Sequence, residues 1–214
     1  IIKNSLNLEW INSLEIEEKG YYRIGTDYFE KQNFEKAVEY FEKYLSENEN
    51  IDDDLTYFYY YLGQAYQGIQ NYEKALGNLQ LTKFSKEDNA KAYYTTQFLK
   101  AISYYKINNL EESLNSLKEV ITSERNDEIY LRSLVNYGSY CLNSGISERQ
   151  EEAFKTFNSI IKGDGIDTKK IKKSFLDKTS SIAYYNLALF HKIKNEFHLA
   201  KSNYQKALET CENL

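Results

Sequence analysis

Along most of its length the chain distributes apolar residues with a helical period: large side chains return at i, i+3, i+4 and i+7, positions that share one face of an α-helix. The clearest stretch is YYRIGTDYFEKQNFEKAVEYF, in which two such faces follow one another, and the pattern returns as YYYLGQAYQGIQNYEKALGNL. Gly63 lies 38 residues after Gly25, and the surrounding positions correspond. Ile24, Gly25, Tyr28, Ala37 and Phe41 in the first copy become Leu62, Gly63, Tyr66, Ala75 and Leu79 in the second. Each copy therefore predicts two antiparallel helices. The small residue on one lets the other approach, and the large residues fill the space beside it.

Three further copies follow. The third carries Ala101, Tyr104, Ser113 and Leu117, but Gln97 and Lys100 stand where the other copies are apolar. Phe98, Ile102 and Tyr105 form a competing stripe, which predicts a rotated first helix. The fourth has Leu134, Tyr137, Gly138, Cys141, Ala153 and Phe157, with a longer turn at SGISERQ, and the fifth has Tyr184, Leu187, Ala188, His191, Ala200, Tyr204 and Ala207. The repeats fall at about residues 18–50, 53–87, 89–125, 127–162 and 179–214 of a single domain, 1–214. Residues 163–178 read as an insertion holding one short helix and projecting from the stack. Residues 1–16 place Leu6, Trp10, Ile11 and Leu14 on one face and read as an N-terminal capping helix.

The order of small residue, aromatic, alanine and large apolar residue resembles the tetratricopeptide repeat family over nearly the whole chain. Tyr21 and Tyr59, four residues before their glycines, stand where that family has Trp or another large residue. The family period is about 34 residues, so the spacing here adds roughly one helical turn. The resemblance implies an all-α fold, a right-handed α-solenoid of antiparallel helix pairs, and an extended binding surface. It also implies that the first helix of each repeat lines a concave groove. The lining would be Tyr22, Arg23 and Thr26; Tyr57, Tyr60, Tyr61 and Gln64; Phe98, Leu99, Ile102 and Tyr105; Val135, Asn136 and Ser139; and Tyr185, Asn186 and Leu189. An aromatic, weakly charged lining suits an apolar or extended peptide whose backbone meets tyrosine hydroxyls. The competing reading is that these rings pack against neighbouring helices.

Some family members grip a carboxylate through basic and Asn residues four apart. Lys19 and Arg23, and Arg132 and Asn136, have that spacing, but Tyr57 and Tyr61 occupy the matching sites between them, so the pattern is not met.

Composition narrows the function classes. The chain has 214 residues, no proline and nine glycines, which suits almost continuous helix. Its net charge is −5 with basic residues scattered, which argues against nucleic acid as a partner. The cluster Lys169, Lys170, Lys172 and Lys173 reads as a solvated segment. The uncharged stretch from Leu55 to Tyr72 spaces its polar residues helically and should not span a membrane. Because the chain begins at Ile1, it reads as an excised or processed segment, and its compartment is not legible. Richness in Ile, Lys, Asn and Tyr points to an AT-rich, bacterial coding source.

No catalytic constellation emerges. Cys141 holds a core position, and the two cysteines are too few for a disulfide framework. His191 replaces Tyr28 and Tyr66 in the repeat and reads as a packed side chain, with His198 in the next helix. Asp52, Asp53 and Asp54 suit a helix cap, the GDG at 163 to 165 a turn, and Glu35, Glu111 and Glu112 exposed positions. No cofactor or metal is expected. The reading is a non-catalytic protein-binding scaffold. Its alternatives are a sensory or regulatory module coupled to an effector domain, and a homo-oligomer assembled through the C-terminal helix, with Leu208 and Leu214 as contacts.

Overall fold

The computed structural model describes residues 19–47, 55–123, 127–169 and 171–212. Among them lie ten α-helices and no strand. They are α1 (Lys19–Glu30), α2 (Phe34–Glu47), α3 (Thr56–Gly68), α4 (Tyr72–Gln80), α5 (Lys86–Lys106), α6 (Leu110–Ile121), α7 (Glu128–Asn143), α8 (Ser147–Lys162), α9 (Lys173–Ile193) and α10 (Phe197–Glu212). The expected capping helix, Asp52 to Asp54, Lys170 and Leu214 lie outside the described residues.

The chain divides into two compact units, Ile1–Ser85 and Lys86–Leu214. In the first, α1 pairs with α2 and α3 with α4, and α2 packs on α3. Its core is aromatic, with Tyr22, Phe41, Tyr44, Phe58 and Tyr66 in one cluster. In the second, α5–α6, α7–α8 and α9–α10 form hairpins, joined where α6 meets α7 and α8 meets α9. Leu117, Val120, Leu131, Cys141, Phe157 and Leu187 belong to its core. Cys141 is fully buried, and burial, with Glu152 nearby, pushes its thiol up to about 11. That is the inert small hydrophobe its position predicts.

The small residues bring the paired helices together as expected. A methyl group on Gly25 would sit 2.7 Å from the Phe41 ring, and one on Gly138 2.7 Å from Phe157. On Gly63 it would meet Leu79 at 2.7 Å and the Ala75 carbonyl at 3.2 Å. In the third copy Ala101 and Ser113 are both fully buried, and the Ser113 hydroxyl donates to the Ala101 carbonyl at 2.8 Å.

That third copy keeps its register, so the expected rotation is corrected. Ala101 and Leu117 are fully buried as in the other copies, and Gln97 and Lys100 are carried half-buried with them. The helix proper starts after Asn89, whose backbone is non-helical (φ −148, ψ 74) and whose Oδ1 accepts the Ala92 amide at 3.0 Å. Burial lowers the pKa of the Lys100 ammonium, the cost of holding a charge among packed side chains.

A local code closes each hairpin. Gln32, Gln70 and Asn108, successively 38 residues apart, share a left-handed backbone with φ of 60 to 62, as does Asn195 at 61, and Gly145 serves the fourth turn at 73. In the first three, the next residue caps the following helix. Asn33, Asn71 and Asn109 accept the amides of Lys36, Lys74 and Glu112 at 3.2, 3.2 and 3.3 Å.

The insertion does not project. Ile171 is 5% exposed within the second core, with Ile166, Phe175 and Leu176 packed against it. Rather than forming a separate short helix, residues from Lys173 onward lengthen α9 to 21 residues. Apolar side chains every few residues gave this segment a face to bury, and burying it outweighs leaving it in solvent. The GDG is a turn: Gly163 takes φ 73 and its amide donates to the Ile160 carbonyl.

Gly63→Leu is expected to lower stability by about 1–3 kcal/mol through overpacking, measured by chemical denaturation. Gln70→Gly removes a left-handed side-chain residue and is expected to raise stability by up to about 1 kcal/mol in the same assay. Lys100→Leu is expected to stabilise by roughly 0.5–2 kcal/mol at neutral pH. Because the folded-state pKa of Lys100 is depressed, the unfolded chain binds more protons between that pKa and 10.5. Stability of the parent therefore rises across that window, and the advantage of the variant shrinks as pH approaches 10.5.

Candidate peptide-binding surface

In the first unit, packing claims most of the expected lining. Tyr22 is 3% and Tyr60 1% exposed, so neither lines an open surface. Tyr22 packs among Phe41, Tyr44 and Phe58, with ring centroids 5.5 to 5.9 Å away, and Phe84, in the segment after α4, meets Tyr57 at 5.0 Å and Tyr60 at 5.6 Å, both edge-on. Tyr61 packs edge-on against Phe29 at 5.3 Å, and burial raises its hydroxyl pKa. Thr26 is buried with its hydroxyl on the Tyr22 carbonyl at 2.9 Å. Gln64 turns back to the Tyr60 carbonyl at 3.4 Å, while Arg23 is exposed.

The second unit differs. Phe98 and Asn186 are buried, at 8% and 9% exposure, and the Asn186 amide donates to the Ile182 carbonyl at 2.9 Å, so both leave the expected lining. Leu99, Ile102 and Tyr105 remain half-buried along one face of α5. Opposite them α7 carries Arg132, Asn136, Ser139, Tyr140 and Asn143, all half-buried or exposed and spaced to share one helical face. Helices α5 and α7 are in contact, and α7 also meets α9.

The two stripes join at a ring pair. Tyr105 and Tyr140 stack with centroids 3.6 Å apart and planes 3° from parallel, and Asn143 donates to the Tyr105 hydroxyl at 3.5 Å. Beside them an open cleft of about 310 Å³ is lined by Tyr105, Lys106, Asn108, Leu110, Tyr140 and Asn143, among others. It offers ring and aliphatic surface with ammonium and amide donors around it. On α9, Tyr185 is 50% exposed, its ring edge-on to Tyr204.

Sequence reasoning placed Leu99, Ile102, Tyr105, Val135, Asn136 and Ser139 on these faces and named Arg132 only in a carboxylate-gripping pattern that is not met, while Tyr140 and Asn143 were missed. Their signal was present, since they continue the spacing that begins at Asn136. His191 is packed as expected: its side chain is 12% exposed, its Nδ1 lies 2.6 Å from Glu196, and its ring is edge-on to Phe154 and Phe190. Among the described residues no group of His, Cys, Asp and Glu is arranged to hold a metal ion. No helix among them is long and apolar enough to cross a membrane.

Residues 18–51 and 182–213 each match the tetratricopeptide repeat model. No curated protein matches the chain in sequence. Solved structures share its fold at low identity. The MamA protein is 19% identical, covers 91% of this chain and 92% of its own, and superposes with a TM-score of 0.62. YrrB, described as a TPR protein with an unusual peptide-binding site, is 15% identical over 89% of this chain and 84% of its own, with a TM-score of 0.60. A Podosopora anserina putative kinesin light chain with nearly identical TPR-like repeats is 13% identical over 94% and 98%, with a TM-score of 0.66. With the close helix contacts at Gly25, Gly63 and Gly138 already in place, these matches identify tetratricopeptide repeats at residues 18–51 and 182–213, in a chain whose fold is shared by solved tetratricopeptide-repeat structures.

Proposed function

We propose that the chain binds a peptide segment of a protein partner across α5 and α7 of its second unit. The observation that carries this reading is the stacked Tyr105–Tyr140 pair beside an open cleft, with aliphatic residues along α5 and amides along α7. Rigid aromatic rings supply contact area at low entropic cost, and amides meet the polar edges of a peptide backbone. The cleft lies at the small end of the range for ligand sites, which fits one side chain. The described peptide-binding site of the structurally similar YrrB supports the same class of ligand. Binding of this kind is complementarity without turnover.

A second surface favours self-association. Phe197 is 64% and Leu208 63% exposed on α10. In earlier hairpins the corresponding Phe34 and Leu45, Leu110 and Ile121, and Ile161 pack against their cores. Light scattering of the chain over a range of concentrations is expected to show a mass increase that Leu208→Glu removes; a constant monomer mass ends this second reading.

For the groove, a peptide selected from a display library on the 214-residue chain is expected to lose roughly tenfold or more in affinity on Tyr105→Ala. Circular dichroism confirms the variant's fold, and unchanged affinity would remove the cleft from the binding site.

A further inference from the structure

Arg132 is half-buried on the face of α7 that carries Asn136 and Tyr140, and it has no ion-pair partner among the described residues. Its guanidinium lies 5.3 Å over the ring of Phe175, and its Nε is buried with no hydrogen-bond partner. Arg149, in the same unit, holds Glu111 at 2.5 Å. Glu128, one turn before Arg132, makes no such bridge to it. Two buried hydroxyls on the same pair of helices, Thr96 on α5 and Ser133 on α7, are also without partners. A donor left unmade in the interior costs about 1–3 kcal/mol, so such groups are ordinarily satisfied. Stacking on an aromatic face leaves the planar edge of a guanidinium free for a carboxylate.

We propose that Arg132 receives the side-chain carboxylate of an Asp or Glu in the bound peptide, three or four residues from an apolar or aromatic side chain seated beside Tyr105 and Tyr140. This rests on the peptide reading above and adds the partner's chemistry to it. Arg132 and Tyr140 are eight residues apart on one helix, about 12 Å along its axis. An extended peptide advances roughly 3.3 Å per residue, which sets the separation at three to four residues. A side chain reaches a half-buried guanidinium through its own methylene groups, whereas a chain terminus would have to bring its backbone down to it.

The test is selection of random twelve-residue peptides on the 214-residue chain, followed by fluorescence anisotropy with synthetic peptides of the consensus. The consensus should place Asp or Glu three or four residues from an aliphatic or aromatic residue. Arg132→Gln should weaken binding about 10–100-fold, as should exchanging the peptide's acid for its amide, and the two changes together should cost little more than either. Amidating the peptide's C-terminus should change nothing. A consensus without the acid, full affinity after the acid-to-amide exchange, or loss on C-terminal amidation overturns the assignment. If Tyr105→Ala still weakens those peptides, the cleft reading survives that failure. If no selected peptide responds to Tyr105→Ala, the cleft reading falls and the Arg132 assignment with it.

Discussion

Everything in this protein depends on how closely two helices can approach where one of them carries almost no side chain. At Gly25, Gly63 and Gly138 the facing Phe41, Leu79 and Phe157 occupy the space that a methyl group would need. This contact fixes the rotation of each first helix about its axis. Once Ala101 and Gly138 face their partners, Leu99 and Ile102, or Asn136 and Ser139, are turned toward the less buried side. The open surface is thus a by-product of the packing constraint. The chemistry of that surface can vary without disturbing the pair, as the apolar stripe on α5 and the polar stripe on α7 illustrate.

The 21 tyrosines meet this constraint in different ways. In the first unit they are mostly structural: Tyr22 and Tyr44 sit in the core with Phe41 and Phe58, and Tyr57 and Tyr60 close on Phe84. A ring that finds another ring at about 5 Å gains both area burial and favourable quadrupole contact, so open display is the costlier choice. In the second unit Tyr105 and Tyr140 also find each other, but their stack stands at the edge of a cleft. The same residue type therefore fills a core in one unit and borders an open cleft in the other.

Charge is used sparingly where the helices pack. Lys100 replaces an apolar repeat residue and pays with a depressed pKa, whereas the charge of Arg132 is delocalised over a plane that rests on Phe175. A guanidinium tolerates half-burial better than an ammonium because it is more weakly hydrated. That difference explains why an arginine can stand half-buried on this face of α7, resting on an aromatic ring.

Helix existence, hairpin pairing and the identity of the small contact residues were all legible in the sequence, because they are periodic and each copy supports the others. The left-handed turns at Gln32, Gln70 and Asn108 were equally periodic, and their following asparagines spell out the caps, although the spacing alone did not announce a positive φ. Which aromatic residues remain accessible was not legible. The spacing of Tyr57 and Tyr60 matches that of residues that stay open elsewhere, and Phe84, outside the repeat pattern, covers them. Likewise the segment before α9 read as an insertion projecting from the stack, yet Ile171 anchors it to the second core. A sequence specifies which faces a helix has, since periodicity is local. Only the tertiary structure decides what lies against each face, because the covering groups come from segments with no periodic relation to it.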